Sequence, residues 1–302
     1  MAGVLIYSDK LNLALELITA GKAINDEVTA VAINDEELAK GLANAGVKVL
    51  SVANEAVNVA DTAAVASVIK ELAGGVKTVL LASNRRGKEL AGRLAQKLGA
   101  GCLTDVSSFT VNGDKIECQR NALGGATVAT QVIVSDKGVI AIAPKSFAPA
   151  GEGSGSIELV SLDVSSKVKV LEVKAKSADA VDIEAAEVLV VAGQGVNSQD
   201  DLTDIEALAK KLGGEVACTK PVATDKKWLS EERVVGLSGK LCKPELAVLL
   251  GVSGQVQFTV GIRDAKTIVS VNTDENASMN QLSDYVLTAD LHEVVKDLNS
   301  KL

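Results

Sequence analysis

A single histidine, 2% aromatics and four cysteines leave this 302-residue chain short of the side chains that most catalytic chemistry uses. The lone His292 cannot build a His-rich metal site, and a Ser-His-Asp triad would depend wholly on it. It is expected as a surface residue at the start of the last helix. Cys102, Cys118, Cys218 and Cys242 are separated by 16, 100 and 24 residues and form no CxxC. A chain of this length has little need of disulfides, so reduced, mostly buried thiols in a cytoplasmic protein are expected. No run approaches the roughly 18 uninterrupted apolar residues that span a membrane. The start, "MAGVLIYSDK", puts no basic region before its short apolar run, so no secretion signal is expected. Basic surface is also scarce: a net charge of −8 argues against a nucleic-acid partner.

What the chain does have is aliphatic mass. Hydrophobic residues make up 47% of it, chiefly Val, Ala, Leu and Ile, which suits parallel sheets covered by helices on both faces. The length accommodates two domains. Through the first hundred residues short apolar runs alternate with helical patterns. "VLIYS", "EVTAVAI", "VKVLSV" and "TVLLAS" read as strands. "LNLALELITAGKAI", "DEELAKGLANAG", "TAAVASVIKELAGG" and "GKELAGRLAQKLGA" read as helices, with Leu90, Leu94 and Leu98 recurring every four residues in the last. Such a βα series predicts doubly wound parallel packing. From about residue 104 to 150 the texture changes. "FTVNGDKIECQ" carries an Asn-Gly-Asp turn between alternating segments, which predicts an antiparallel hairpin. "TVATQVIV" and "GVIAIAP" continue as strands, and "APAGEGSGSIEL" (148–159) reads as a linker or surface loop. "KVKVLEVKAKSADAVDIEAA" is charged and without helical period, an extended crossing segment in which the first domain ends. The predicted domains are 1–182 and 183–302, both α/β and doubly wound, the first with the added hairpin region.

The second domain opens with "EVLVVAGQGVNSQDDLTDIEALAKKLGG", whose residues 187–192 predict a buried strand. Ser198 and Asp201 resemble a helix-start capping pair, the serine accepting a backbone N–H and the acid reaching back. Leu202, Ile205, Leu208 and Leu212 share one helical face. "EVACT" is a strand and "KPVATDKKWLSEE" (220–232) a loop. "LAVLLGV", "TIVSVN" and "DYVLTAD" are three more strands before a closing helix, "HEVVKDLNSKL". Each of the last strands ends in glycine or a polar residue, where open α/β sheets bind ligands.

"GQGVNS" (193–198) fits a dinucleotide-binding turn or a plain tight βα turn equally well. "VVGLSGK" (234–240) is too short for a Walker loop; its N–H groups and Ser238 suit a carbonyl or phosphate oxygen, though an ordinary turn explains it equally. "GVSGQVQF" (251–258) says more. Gly251 and Gly254 let a ligand approach the backbone, and residues 254–262 begin a helix whose N–H groups face an anion. Gln255 and Gln257 offer donors and acceptors to the edge of a heterocycle. Asn272, Thr273 and Asp274 end the next strand, and Asp290, beyond the one after, is placed to accept ribose hydroxyls. Three polar strand ends in succession, with two glycine turns upstream, predict a nucleotide site.

In this order "GQG", "CTKPVA", "VGLSGK", "KPELAVLLGVSGQVQF", "IVSVNTDENA" and "SDYVLTADLHEVV" resemble the C-terminal FAD-binding domain of electron transfer flavoprotein α subunits. "ASNRRGKELAGRLAQKLGAGCLTDV" and "RNALGGATVAT" resemble the signature regions of that family's N-terminal domain. The resemblance implies a heterodimer with a β subunit, in which the α subunit binds FAD and relays electrons between a dehydrogenase and an acceptor. The loop "CTKPVATDKKWLSEERVVGLSG" looks nearest to the branch serving acyl-CoA metabolism. The implied donor is therefore an acyl-CoA or other flavin dehydrogenase, as in fatty acid metabolism. Carried over residue by residue, Thr219 and Lys220 lie near the flavin ring. Val235, Gly236, Leu237 and Ser238 form the turn that places a hydroxyl near the ring's reactive nitrogen. Ser253, Gly254, Gln255, Val256 and Gln257 hold the ring's edge, and Asn272 with the Asp290-Leu291 pair contacts the adenosine half and its diphosphate.

Three positions depart from the family's pattern. Phe258 stands where the family has a histidine that donates to the ring's pyrimidine edge. Gln194 replaces an arginine that contacts the diphosphate, and Lys220 replaces another whose fork is planar. Contacts to a charged group are worth roughly 1.5–3 kcal/mol each. Two alternatives therefore stand beside the electron carrier. One is a structural subunit of such a complex with a weakened or lost FAD site. The other is a nicotinamide-dependent dehydrogenase, which would need a full Gly-x-Gly-x-x-Gly and an acid/base group in a cleft.

Overall fold

The computed structural model describes residues 3–123, 127–172 and 181–302. Its contacts divide the chain into two compact units, Met1–Val173 and Lys174–Leu302. No helix among the described residues is long and apolar enough to cross a membrane.

In the first unit β1 (Val4–Tyr7), β2 (Val28–Ile33), β3 (Lys48–Val52) and β4 (Thr78–Ala82) are parallel. They are joined by α1 (Leu11–Ile24), α2 (Glu36–Ala43) and α3 (Thr62–Leu72), and α4 (Arg85–Leu98) follows β4. Every residue of β1 and of β4 is buried, as strands covered on both faces by helices require. One core lies under α1 and α2, the other under α3 and α4, where Leu90 and Leu94 are 2% and 0% exposed. Asp35, Asp61 and Asn84 each cap a helix by accepting backbone N–H groups. Asp61 does more: its second carboxylate oxygen accepts from the amides of Lys167 and Val168, fastening the segment after the last strand.

The expected hairpin is present. β5 (Gly101–Asn112) and β6 (Lys115–Ala122) run antiparallel about Gly113, whose φ is +60°, and β7 (Thr127–Val132) extends them. β8 (Gly138–Ile142) lies parallel between β5 and β4. The glycine-rich segment 148–159, expected as a loop throughout, instead delivers an edge strand. β9 (Ser156–Val160) pairs in parallel with β3, completing the order β7-β6-β5-β8-β4-β1-β2-β3-β9. Its residues are exposed or nearly so, and an edge strand without a buried face shows no alternating apolar pattern. Its glycines are needed because the strand enters hard against α2's end: a Cβ on Gly153 would lie 2.8 Å from the Gly46 Cα.

The second unit is a five-stranded parallel sheet: β10 (Val188–Ala192), β11 (Glu215–Cys218), β12 (Leu246–Leu250), β13 (Thr267–Asn272) and β14 (Tyr285–Thr288). The order is β11-β10-β12-β13-β14, a doubly wound arrangement. One face carries α5 (Asp201–Lys211) and α8 (Leu291–Lys301), packed through Leu202, Ile205, Leu208, Leu291 and Val295. The other carries α7 (Val256–Thr259) with Phe258, Ile262 and Met279. The two bonds of the predicted pair form, the Asp200 amide donating to the Ser198 hydroxyl at 3.2 Å and the Ser198 amide to the Asp201 carboxylate at 2.8 Å, but they lie ahead of the helix, whose N-cap is Asp200 without a side-chain cap bond. The segment 220–232, expected as a loop, holds a helical turn, α6 (Lys220–Thr224), and the start of a 3-10 turn at Glu231–Arg233. Pro221 in the first turn of α6 suits a helix start while hiding it from a period-based reading. The helix expected over 254–262 is the four-residue α7.

Candidate functional site

Leaving β10, the chain goes to β11 on one side and then to β12 on the other. The carboxyl ends of β10 and β12 therefore diverge at the sheet's reversal point, where open α/β sheets bind ligands. Two glycine turns sit there. The Gly193 amide donates to the Leu250 carbonyl at 2.8 Å and the Gly195 amide to Gly251 at 3.0 Å. A Cβ on Gly195 would lie 2.8 Å from the Gly251 Cα, and Gly251 has a φ of +64°. Gly254, with φ +89°, packs against the backbone of Met279, whose amide donates to Ser253 at 3.2 Å. The glycines that end this greasy strand thus let neighbouring loops close main chain to main chain.

The same lacing draws the other segments onto one rim. Val235 donates to Cys218 at 3.0 Å and Leu237 to Gln257 at 2.8 Å. Gly236, at φ +131°, leaves only 2.5 Å between a hypothetical Cβ and the Gln257 carbonyl. Thr219 donates its amide to Ala192 at 3.1 Å, and Asn272 sends its side-chain amide to the Val252 carbonyl at 3.0 Å. Along this rim Gln194, Lys220, Leu237, Ser238, Ser253, Gln255, Val256, Gln257, Thr273, Asp274 and Asp290 are exposed. Val235, Gly236, Gly254, Phe258 and Leu291 are buried and form its frame.

Several residues have structural duties that the sequence did not disclose. Phe258, expected beside the ring edge, is 7% exposed and packs among Val235, Val252 and Ile262. The Asp290 carboxylate, read as a ribose acceptor, caps α8 by accepting from the His292 amide at 2.8 Å. Asn272 and Asp274 shape their own loop, the Asn272 side chain accepting from the Asp274 amide at 3.0 Å. His292 lies in the first turn of α8, its Nδ1 3.4 Å from an Asp201 oxygen. None of the four cysteines is in a disulfide. Burial pushes the Cys218 thiol up to about 12 despite nearby Arg233, and that of Cys118 up to about 11, whereas Cys102 is exposed.

Thr219 stands apart. It is 7% exposed, and its hydroxyl is buried with no hydrogen-bond partner among the described residues. A second residue, Lys226, escaped the sequence reading altogether. Its ammonium donates to the carbonyls of Gln194 at 3.1 Å and Val196 at 2.6 Å, and lies 4.3 Å from the centre of the Trp228 ring. It brings a positive charge to the turn that carries the neutral Gln194. Lys226 and Gln194 are 32 residues apart, so no local pattern announces the contact.

Residues 8–167 match the family described as "Electron transfer flavoprotein domain", and residues 182–263 match "Electron transfer flavoprotein FAD-binding domain". Among curated proteins, "Protein FixB" of Salmonella typhimurium is 31% identical, the alignment covering all of this chain and 98% of that protein. "Protein FixB" of Escherichia coli O17:K52:H18 is 30% identical over 99% of this chain and 97% of its own. The rim's first four segments fall within the second match, while Asn272, Thr273, Asp274, Asp290 and Leu291 lie beyond it.

Proposed function

This chain belongs to the electron transfer flavoprotein family as an α subunit, and from that premise we propose that its C-terminal rim holds FAD. The observation that carries the reading is the Thr219 hydroxyl, a buried polar group at the end of β11 with no partner among the described residues. Leaving such a group unpaired costs about 1–3 kcal/mol, which a ligand atom at that position would recover. The surrounding groups suit a flavin nucleotide. Ser238, Gln255 and Gln257 are exposed donors and acceptors for the ring's polar edge, and Lys220 adds a cation beside Thr219. Lys226 sets positive charge at the Gln194 turn, where the diphosphate is expected. Asn272, Thr273, Asp274 and the free oxygen of Asp290 would face the adenosine half.

Bound FAD supplies transfer of one or two electrons. The chain's residues would hold and orient it: the glycine-laced turns fix the rim, and the exposed Gln255 and Gln257 side chains meet the ring edge. A β subunit is the proposed partner, and an acyl-CoA or other flavin dehydrogenase the proposed electron donor. A structural subunit with a weakened FAD site remains the second reading, favoured by one observation: Phe258 is turned into the core and offers no donor. Titration of the purified full chain with FAD, followed by desalting, separates the two. Retained flavin absorbance that Thr219→Val diminishes supports the carrier. Flavin that washes through at millimolar FAD, alone and with the β subunit, refutes it.

A further inference from the structure

The N-terminal sheet has a reversal point of its own, which the FAD reading leaves unused. Its strand order turns back between β1 and β4, whose carboxyl ends carry Tyr7-Ser8-Asp9 and Ser83-Asn84-Arg85-Arg86. A small, open depression lies there, its lining including Tyr7, Ser8, Asp9, Asn84 and Arg86. We propose that this depression is an oxyanion site that takes the phosphoryl group of orthophosphate or of a phosphate monoester.

The groups that meet there are donors in search of acceptors. Tyr7 is 5% exposed, and its hydroxyl is buried with no hydrogen-bond partner among the described residues. Burial, reinforced by the Asp9 charge and opposed by Arg86, raises this phenol well above its ordinary range, so it stays protonated and donates. Ser8 is 4% exposed; its oxygen accepts from the Lys10 amide at 3.2 Å, which leaves its own hydrogen to donate. The 14-residue helix α4 begins at Arg85. Asn84 satisfies the Gly87 amide at 2.8 Å, while the amides of Arg85 and Arg86 have no partner among the described residues. Helix N-termini of this length favour anions. Gly87 has no room for a Cβ against the Ala82 carbonyl, so the first turn of α4 sits directly on the end of β4.

Charge agrees with the donor count. Asp9 is the single anion in the lining, and Arg86 pairs with it. The pair leaves the lining neutral, so no net negative charge repels an anion there. An acceptor-only ligand bearing several oxygens, a phosphoryl group, satisfies a phenol, a serine hydroxyl, a guanidinium and two amides at once.

The test is a titration of the full chain in phosphate-free buffer with orthophosphate and, separately, ribose 5-phosphate, followed by ³¹P line broadening and by melting temperature. Saturable broadening with a rise in Tm is expected for at least one of them. Equal affinity for both identifies a site for the anion alone, and preference for the ester shows that the sugar is also held; either supports the proposal. Tyr7→Phe is expected to weaken binding roughly 3- to 10-fold, the worth of one hydrogen bond. Asp9→Asn is expected to strengthen it by freeing the Arg86 fork. Without ligand, Tyr7→Phe is expected to melt at or above the parent's temperature, since it removes an unpaired hydroxyl. The proposal is overturned by absence of saturable binding, by unchanged affinity in Tyr7→Phe, or by a ligand-free Tyr7→Phe that melts lower. Binding lost in Lys226→Met and kept in Tyr7→Phe would move the anion to the C-terminal rim and overturn it too.

Discussion

Lys226→Met is the most informative single substitution on the C-terminal rim, because it removes the ammonium while keeping most of the apolar stem. Three interactions go. The 3.1 Å bond to the Gln194 carbonyl is solvent-exposed and contributes little. The 2.6 Å bond to Val196 is partly buried and charge-assisted, worth about 1.5 kcal/mol, the lower end of its class. The contact with Trp228, at 4.3 Å, adds about 0.5–1 kcal/mol. The sum is about 2 kcal/mol, which in a unit of this size lowers the melting temperature by roughly 6–10 °C. FAD affinity is expected to fall as well, by up to about fivefold, the value of one exposed charge near a phosphate. Calorimetric melting of the full chain gives the first number and a flavin titration the second. Lys226→Arg keeps the charge and is expected to restore most of the affinity. If Lys226→Met melts with the parent and binds FAD as tightly, the ammonium neither clamps the turn nor serves the cofactor.

Thr219→Val replaces an unpaired hydroxyl with a methyl of the same shape, so the cofactor-free chain is expected to be as stable as the parent or up to about 1 kcal/mol more so, while FAD binding weakens roughly 2- to 10-fold; a less stable cofactor-free variant by chemical denaturation would show that the hydroxyl already has a partner. Gly254→Ala forces a methyl into a φ of +89° against the Met279 backbone and is expected to cost at least about 1–3 kcal/mol in the same denaturation assay, with equal stability as the refuting result. For Asp61, burial alone would raise the carboxyl, but amides of Ala64, Lys167, Ala63 and Val168 outweigh it and hold it below the ordinary range. Its contribution is therefore complete above the unfolded carboxylate value and is lost as pH falls through the lowered folded one. Asp61→Asn is expected to flatten that acid limb, and an unaltered pH–stability curve would refute the role assigned to it.

What could be read in the sequence was local. The Leu90–Leu94 period, the Ser198–Asp201 hydrogen bonds and the Asn-Gly-Asp hairpin depend on residues within a few positions of one another, and each appears in the structure. The glycine turns were also legible as turns, though their purpose was not: Gly195 and Gly251 are 56 positions apart, and only the closed sheet shows that they touch. β9 was missed because an edge strand with little buried surface leaves no alternation to detect. Phe258 was placed by resemblance at the ring's edge, and no pattern in "GVSGQVQF" says which of its side chains turns inward. The Lys226 clamp and the Asp61 strap are long-range bonds from polar residues, the class of contact least visible from composition or period.

Because Gly193, Gly195 and Gly251 meet through main-chain atoms, the outline of the socket is set independently of whatever points out of it. Outward side chains such as those of Gln194, Lys220 and Gln257 can change without moving that outline, whereas a methyl group on Gly195 would shift two loops together. A mould of this kind allows the chemistry it presents to be retuned one side chain at a time while the architecture stands still.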